Sequence, residues 1–176
     1  MPEIKYVAIA AVSEEPSSTL IKNTEEFLEK IAPFKKTIRI ILGGYWGLMR
    51  VIADKAAEKG FIVIFTLPEN PPVMPPRRKE FIPIITDLGF QSRSTVMCRT
   101  CDVLVAMGGR IGSILEVLLA YDYGKPSVVV RSGYDTDKLE KCFPGYVDKR
   151  RKAPIYYVGS GFEAAEKVLE LLGITM

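Results

Sequence analysis

The chain has 176 residues, a hydrophobic content of 48% and a formal net charge of +3. This length suits one domain with a sizeable core, and so small a charge does not by itself predict nucleic-acid binding. The sequence contains no histidine, which excludes Ser-His-Asp triads, histidine-assisted cysteine nucleophiles and most zinc or iron sites. We therefore expect no metal site.

Apolar runs and helical periodicities alternate along the chain. The apolar runs predict strands at residues 6–12, 37–42, 61–66, 102–107, 127–131 and 155–158, with a short extra strand at 81–86. Amphipathic spacing predicts helices at residues 18–31, 48–59, 92–100, 114–123 and 162–172, and a short helix near 137–143. Five prolines between Leu67 and Pro76 predict an irregular loop. The alternation predicts a single α/β domain over residues 1–176 with a doubly wound, mostly parallel, Rossmann-like sheet.

Terminal signals and composition bear on where the protein works. No early segment combines a basic region, an apolar region and a cleavage site, and the apolar runs are far shorter than a membrane span. We therefore expect a cytoplasmic protein with no membrane partner. Asparagine occurs only at positions 23 and 70 and glutamine only at 91, and this scarcity of thermolabile amides favours a thermophilic source.

Two predicted strands end in Gly-Gly-x-x-Gly, and each is followed by a helical pattern. The first turn is residues 43–47 and the second is residues 108–112. Glycines tolerate positive φ and lack the Cβ that would hold a ligand away, so such turns let backbone N–H groups approach a phosphate. The alternative is that the glycines only shape tight turns. Two turns at one sheet edge favour a nucleotide-binding crevice, with the following candidate residues: Gly43, Gly44, Gly47, Gly108, Gly109, Arg110, Gly112 and Ser113.

Two further motifs have competing interpretations. Ser113 and Glu116 could serve a ligand at a helix start, but Ser-x-x-Glu is also a capping box, in which both side chains satisfy backbone N–H groups. Cys98 and Cys101 fit the C-x-x-C pattern, yet they fall at the predicted end of a helix, where the thiol pKa is not lowered. This place at the end of a helix favours a structural role for the cysteines, with a reversible disulfide as the alternative.

The motifs together resemble the LOG (Lonely Guy) superfamily of Rossmann-like proteins, also called SLOG, whose members have often been misnamed lysine decarboxylases. The matching parts are GGYWGLM at residues 43–49, the isolated Arg93, and GGRIGSILE at residues 108–116. Several positions depart from the family pattern. Met107 stands where the family has proline, Ser113 replaces threonine, Ser94 replaces lysine, and the second turn is one residue longer. The longer form is closer to a branch related to the molybdenum-cofactor carrier protein.

The resemblance implies a function and its residues. Family enzymes are phosphoribohydrolases that cleave the N-glycosidic bond of a nucleoside 5′-monophosphate, which implies a catalytic pair of Arg93 and Glu116 and a 5′-phosphate held by the second glycine turn. It implies no resident cofactor, and no lysine is marked for the pyridoxal phosphate that decarboxylation needs. It also implies a homodimer or larger homo-oligomer, for which the helix at 114–123 offers Leu118, Leu119 and Tyr123.

Two alternatives come from other functional classes. The departures from the family pattern favour binding over hydrolysis, so a non-catalytic carrier of a phosphorylated pterin such as molybdenum cofactor is the first. Binding of single-stranded DNA is the second, but the chain lacks a predicted aromatic platform and the large positive charge that this role needs. We expect a small phosphorylated ligand and no nucleic-acid partner.

Overall fold

Within residues 3–174, the part of the chain that the computed structural model describes, seven parallel strands form one sheet. Each forms at or within one residue of a predicted strand, although β4 is exposed after Phe81, and the sheet is wholly rather than mostly parallel. The strands are β1 (Lys5–Ala11), β2 (Ile38–Leu42), β3 (Ile62–Leu67), β4 (Phe81–Ile85), β5 (Val103–Met107), β6 (Ser127–Val130) and β7 (Ile155–Val158).

Helices cover both faces of the sheet. One face carries the first, second and sixth helices, and the other carries the third, fourth and fifth, so each face has its own apolar core. The helices are α1 (Ser18–Ile31), α2 (Gly47–Glu58), α3 (Phe90–Thr100), α4 (Ile111–Asp122), α5 (Lys138–Cys142) and α6 (Gly161–Leu171), with 3₁₀ turns at Ala32–Phe34 and Asp135–Asp137. No helix among residues 3–174 is long and apolar enough to cross a bilayer.

The strand order places a topological switch point beside β1. The order is β4-β3-β2-β1-β5-β6-β7, so the chain builds outward from β1 in one direction and then returns to build outward from β5 in the other. In doubly wound sheets, ligands bind outside the carboxyl ends of the strands at this reversal. Both glycine turns lie at that edge as predicted, because β2 and β5 flank β1 and run parallel to it.

The cysteines of the C-x-x-C motif are buried at the end of α3. Cys98 Sγ donates to the carbonyl oxygen of Glu116, and Cys101 Sγ donates to the carbonyl oxygen of Cys98. Burial raises the pKa of the Cys101 thiol to about 12 and raises that of Cys98 as well. Both cysteines are free, as is the exposed Cys142. Two buried thiols with raised pKa values, of which that of Cys98 bridges α3 and α4, agree with the predicted structural role.

Candidate functional site

A cavity of about 370 Å³ opens at the switch point, between the end of β1 and the beginnings of α2, α3 and α4. Its volume lies in the range of roughly 300–1,000 Å³ that is usual for small-molecule sites. Half of the residues predicted for the site line this cavity: Arg93, Arg110, Gly112, Ser113 and Glu116. The other half lie outside its lining: Gly43, Gly44, Gly47, Gly108 and Gly109.

The second glycine turn leads directly into α4, which begins at Ile111, three residues earlier than predicted. Its N-cap residue, Arg110, makes no side-chain capping hydrogen bond within residues 3–174. The first-turn N–H groups of a helix have no intrahelical acceptor, and the helix dipole adds partial positive charge there. Gly112 lies among these groups on the cavity wall, and a Cβ at this position would meet no atom within 4 Å.

Gly112 is therefore not required by the fold. Its φ is not positive and its surroundings are open, so packing gives no reason for a glycine. What the missing side chain does is keep open the space in front of the α4 N–H groups. That is the approach that an anion at a helix start needs.

Gly109 and Ser113 fit each other closely at the bottom of the same turn. Gly109 has a φ of 137°, which side chains rarely tolerate, and a Cβ there would lie 2.0 Å from Ser113 Oγ. Gly109 thus positions the buried Ser113 hydroxyl at the cavity wall rather than lining the cavity itself.

The capping-box interpretation of Ser113 and Glu116 is wrong. Because α4 begins at Ile111, Ser113 already lies inside the first turn and is not the N-cap residue. The Glu116 side chain turns away from the helix start and receives hydrogen bonds from α3 instead. The motif therefore leaves the α4 N–H groups uncapped.

Arg93 and Glu116 form a buried ion pair at the inner end of the cavity. Arg93 Nη1 lies 3.2 Å from Glu116 Oε1, and Ser94 Oγ donates to the same oxygen at 2.8 Å. Each residue of the pair is only 7% exposed. Both hydrogen bonds end on Oε1, which leaves Oε2 as the carboxylate oxygen available to a ligand in the cavity.

Burial raises the pKa of Glu116, because an ionised carboxylate loses hydration there. The charge of Arg93 and the hydrogen bond from Ser94 act in the opposite direction and favour the ionised form. Arg93 Nε is buried without a hydrogen-bond partner among the described residues. A buried arginine with an unsatisfied donor beside a cavity is costly for stability and is typical of a binding or catalytic site.

The first glycine turn supports the site from behind. A Cβ on Gly43 would lie 1.8 Å from Arg93 Nη1, so this glycine makes room for the guanidinium. Gly47 has a φ of 55°, and a Cβ there would lie 2.5 Å from the backbone of Ser13. Its lack of a side chain lets α2 begin directly against the loop after β1, where Leu48 N–H donates to the carbonyl oxygen of Val12.

An aromatic pair forms one wall of the cavity, although the sequence predicted no aromatic platform. Trp46, the N-cap residue of α2, and Phe90, the first residue of α3, meet edge to face with ring centroids 6.1 Å apart. A Cβ on Gly44 would lie 2.2 Å from the indole ring, so this glycine makes space for Trp46. Trp46 lies within the glycine motif, but its pairing with a residue 44 positions later depends on how the loops meet.

An ion pair crosses the mouth of the cavity. Arg110 Nη2 contacts both carboxylate oxygens of Glu14, at 3.2 and 3.1 Å, and so links the loop after β1 to the start of α4. Both side chains are largely exposed. Glu14 was not predicted as a site residue. Ser94, which replaces the lysine of the family pattern, also contributes to the site, since its hydroxyl donates a hydrogen bond to Glu116.

The chain resembles an uncharacterised protein of Archaeoglobus fulgidus, with 33% identity over 92 residues. The aligned stretch covers 49% of this chain and 55% of that relative, so the chain spans about half the length of the relative it matches. Among solved structures, the structural-genomics target TM1055 has a TM-score of 0.79 and 28% identity over 95% of this chain and 99% of its own.

Two further solved structures share the fold. The molybdenum cofactor carrier protein of Chlamydomonas reinhardtii has a TM-score of 0.76 at 22% identity, over 97% of this chain and 99% of its own. The DNA processing protein A of Helicobacter pylori is described with its single-stranded DNA binding mode. It has a TM-score of 0.67 at 17% identity, over 96% of this chain and 81% of its own. The model of the SLOG cluster4 family matches residues 5–157, which include the first six strands, all but the last residue of β7 and every residue of the cavity lining. The chain therefore belongs to the SLOG cluster4 family.

Proposed function

We propose that this protein binds a phosphorylated nucleotide or a nucleotide-like ligand in the switch-point cavity. The observation that carries the proposal is the start of α4, where uncapped N–H groups, an open approach at Gly112 and the Ser113 hydroxyl meet on one wall. The phosphate binds there, between the turn at Gly108 and Gly109 and the guanidinium of Arg110.

Arg93 and Glu116 would then act on the sugar. In N-glycosidic hydrolysis, the oxygen of a water molecule bonds to C1′ as the C–N bond breaks, and a water proton ends on the departing base. The transition state resembles an oxocarbenium ion, which the free oxygen of an ionised Glu116 would stabilise. Arg93 holds this carboxylate in place and favours its ionised form.

A carrier of a phosphorylated cofactor is the alternative. It is supported by the fold shared with a protein described as a molybdenum cofactor carrier, and by family departures such as Ser94. A carrier needs the same anion site but no reacting water. Turnover therefore separates the two functions, whereas binding of a phosphorylated ligand is common to both.

The test is release of free base and ribose 5-phosphate from a panel of nucleoside 5′-monophosphates. For a phosphoribohydrolase, Glu116→Gln should lower turnover by about 10²-fold or more and retain nucleotide affinity. Asp122→Asn is the matched control, since it neutralises a carboxylate on the same helix outside the cavity lining. Binding across the panel without turnover would favour the carrier, and no binding of any monophosphate would contradict both.

Single-stranded DNA is not part of the proposal, although a protein of related fold is described as binding it. Two of the four basic residues at 149–152 are held in ion pairs, since Arg150 contacts Asp148 and Lys152 contacts Asp122. Such pairing reduces the positive charge that could follow a phosphate backbone.

Self-association remains part of the proposal. Of the predicted interface residues, Leu119 and Tyr123 pack against the core under α4 and Leu118 is half-buried, so this face offers less free apolar area than expected. More exposed apolar side chains lie along β4 and just after it: Ile82, Ile84, Ile85, Leu88 and Phe90. Light scattering at high concentration should show a dimer or larger closed oligomer, and a monomer would contradict this.

A further inference from the structure

The geometry points to Trp46 and Phe90 as a stacking site for the planar fused ring of the ligand, either a purine or a pterin. This inference rests on the proposed function, because the ring must belong to the molecule whose phosphate lies at the start of α4. It adds the residues that would select the ligand's other end. The site would recognise the face of the ring rather than its hydrogen-bonding edge.

The first support is the position of Trp46. N-cap positions favour Ser, Thr, Asp or Asn, whose side chains bind the free N–H groups of the helix. Trp46 occupies this position in α2 and makes no capping hydrogen bond within residues 3–174. Its backbone is extended there, so the residue gives up a cap and instead presents an indole ring to the cavity.

The second support is the geometry of the aromatic pair. The planes of Trp46 and Phe90 are inclined by 71°. In an edge-to-face pair the edge of one ring covers one face of the other, so the pair covers one of its four ring faces, whereas a stacked pair covers two. Phe90 is 46% exposed at the beginning of α3, and it lines the cavity together with Trp46.

The third support is the chemical division of the cavity. The charged groups of the lining include Arg110 and Glu116 at α4 and Arg93 in the first turn of α3. The wall formed by α2 and the first residue of α3 carries Trp46, Met49 and Phe90, with Gln91 as its polar neighbour. An apolar wall next to an anion site suits a ligand with a planar ring at one end and a phosphate at the other.

The test uses Trp46 as its own reporter, because it is the chain's one tryptophan. Guanosine 5′-monophosphate and neopterin monophosphate should quench or shift its fluorescence. The ligand with the higher affinity identifies the preferred ring as a purine or a pterin. Calorimetry should show that ribose 5-phosphate also binds, but its binding should not change the fluorescence of Trp46. Uridine 5′-monophosphate should bind more weakly than the purine, because its smaller ring covers less aromatic surface.

The variants separate stacking from folding. Phe90→Ala should weaken binding of the preferred fused-ring ligand by about tenfold and leave the affinity for ribose 5-phosphate unchanged. Trp46→Leu, measured by calorimetry, should act in the same way. Phe162→Ala is the matched control, since Phe162 is equally exposed near the start of α6 and lies outside the cavity lining.

Each outcome has a distinct meaning. If ribose 5-phosphate binds as tightly as every ring-bearing ligand, and Phe90→Ala changes nothing, the stacking site is overturned and the phosphate site stands. If neither ribose 5-phosphate nor any monophosphate binds, the proposed function itself fails. If both aromatic variants weaken the binding of ribose 5-phosphate as much as that of the fused-ring ligand, the role of Trp46 and Phe90 is structural. This result also overturns the inference.

Discussion

The helices of this protein begin in two different ways. Helices α1 and α6 begin with serine caps, since Ser17 Oγ accepts from Leu20 N–H and Ser160 Oγ accepts from Glu163 N–H. Helices α2, α3 and α4 begin at Trp46, Gly89 and Arg110, none of which makes a side-chain cap within residues 3–174. The first turns of these three helices line the cavity, whereas the five-residue α5, which also lacks a side-chain cap within residues 3–174, lies outside the lining.

This difference shows how binding capacity competes with stability. A serine cap contributes about 1 kcal/mol, so the missing caps at Trp46 and Arg110 are a considerable cost for one domain, whereas the glycine at position 89 costs only about a few tenths of a kcal/mol. The cost is local, because the strands and the two capped helices follow the usual rules. Natural proteins break such rules at functional sites, where the unsatisfied groups are needed by a ligand.

The largest expected effect comes from closing the approach to α4. Gly112→Val should abolish binding of nucleoside monophosphates, because a branched side chain would fill the space in front of the uncapped N–H groups. Folding should survive, since the backbone there is not in a positive-φ conformation and the new atoms meet no neighbour. Calorimetry and thermal unfolding measure the two effects.

Gly89→Val is the matched control for that experiment. Gly89 is also at a helix start, and a Cβ there would likewise meet no atom within 4 Å, but the residue lies outside the cavity lining. Its substitution should leave affinity nearly unchanged. Equal loss of binding in the two variants would mean that the phosphate lies elsewhere than at the start of α4.

A serine in place of Arg110 should raise the stability of the protein and lower its affinity for phosphate. Arg110→Ser supplies a hydroxyl at the N-cap position of α4, which should raise Tm by roughly 2–4 °C. The same change removes a guanidinium and occupies an N–H group that the anion needs, so phosphate affinity should fall by about tenfold. Arg99→Ala on the surface of α3 is the control for lost positive charge. A variant with lower Tm and unchanged affinity would contradict the comparison of helix starts.

The capped helices should give the reverse result. Ser17→Ala and Ser160→Ala should each lower the free energy of unfolding by about 1 kcal/mol, because each leaves first-turn N–H groups without their acceptor. Neither serine lines the cavity, so ligand affinity should not change. Urea unfolding and calorimetry on the same samples test both parts. Loss of affinity without loss of stability would show that these caps also serve the site.

The same comparison explains how well the sequence predicted the fold. The start of α1 agrees with the sequence, in which Ser17 and Ser18 were both candidate caps, and the structure has Ser17 as the cap. The starts of α2 and of the capped α6 were predicted one residue too late, and those of α3 and α4 two and three residues too late. Start signals rest on capping side chains, and the two helices with the larger errors lack them. For α4, Ser113 imitated a cap from inside the first turn.

The site was predictable only in part, for a similar reason. The contact between Arg93 and Glu116 follows from positions that the family resemblance singled out, and their catalytic role stays a prediction. The glycines of residues 43–47 indicated that a side chain or ligand lies close to the backbone there. The sequence did not indicate that the groups in contact are the side chains of Arg93 and Trp46. The pairs Trp46–Phe90 and Glu14–Arg110 join loops far apart in the chain, and no local pattern encodes such contacts.

The smallest expected effect concerns the ion pair at the cavity mouth. An incoming phosphate competes with Glu14 for Arg110, so Glu14→Gln should strengthen phosphate binding by about threefold. The gain should shrink as salt rises, because both side chains are largely exposed and their attraction is screened. Glu15→Gln is the control, since this neighbouring exposed carboxylate lies outside the cavity lining. If both variants strengthen binding equally, the effect is one of overall charge and Arg110 is not the anion's partner. Weaker binding in Glu14→Gln would instead mean that Glu14 positions Arg110 for the ligand rather than competing with it.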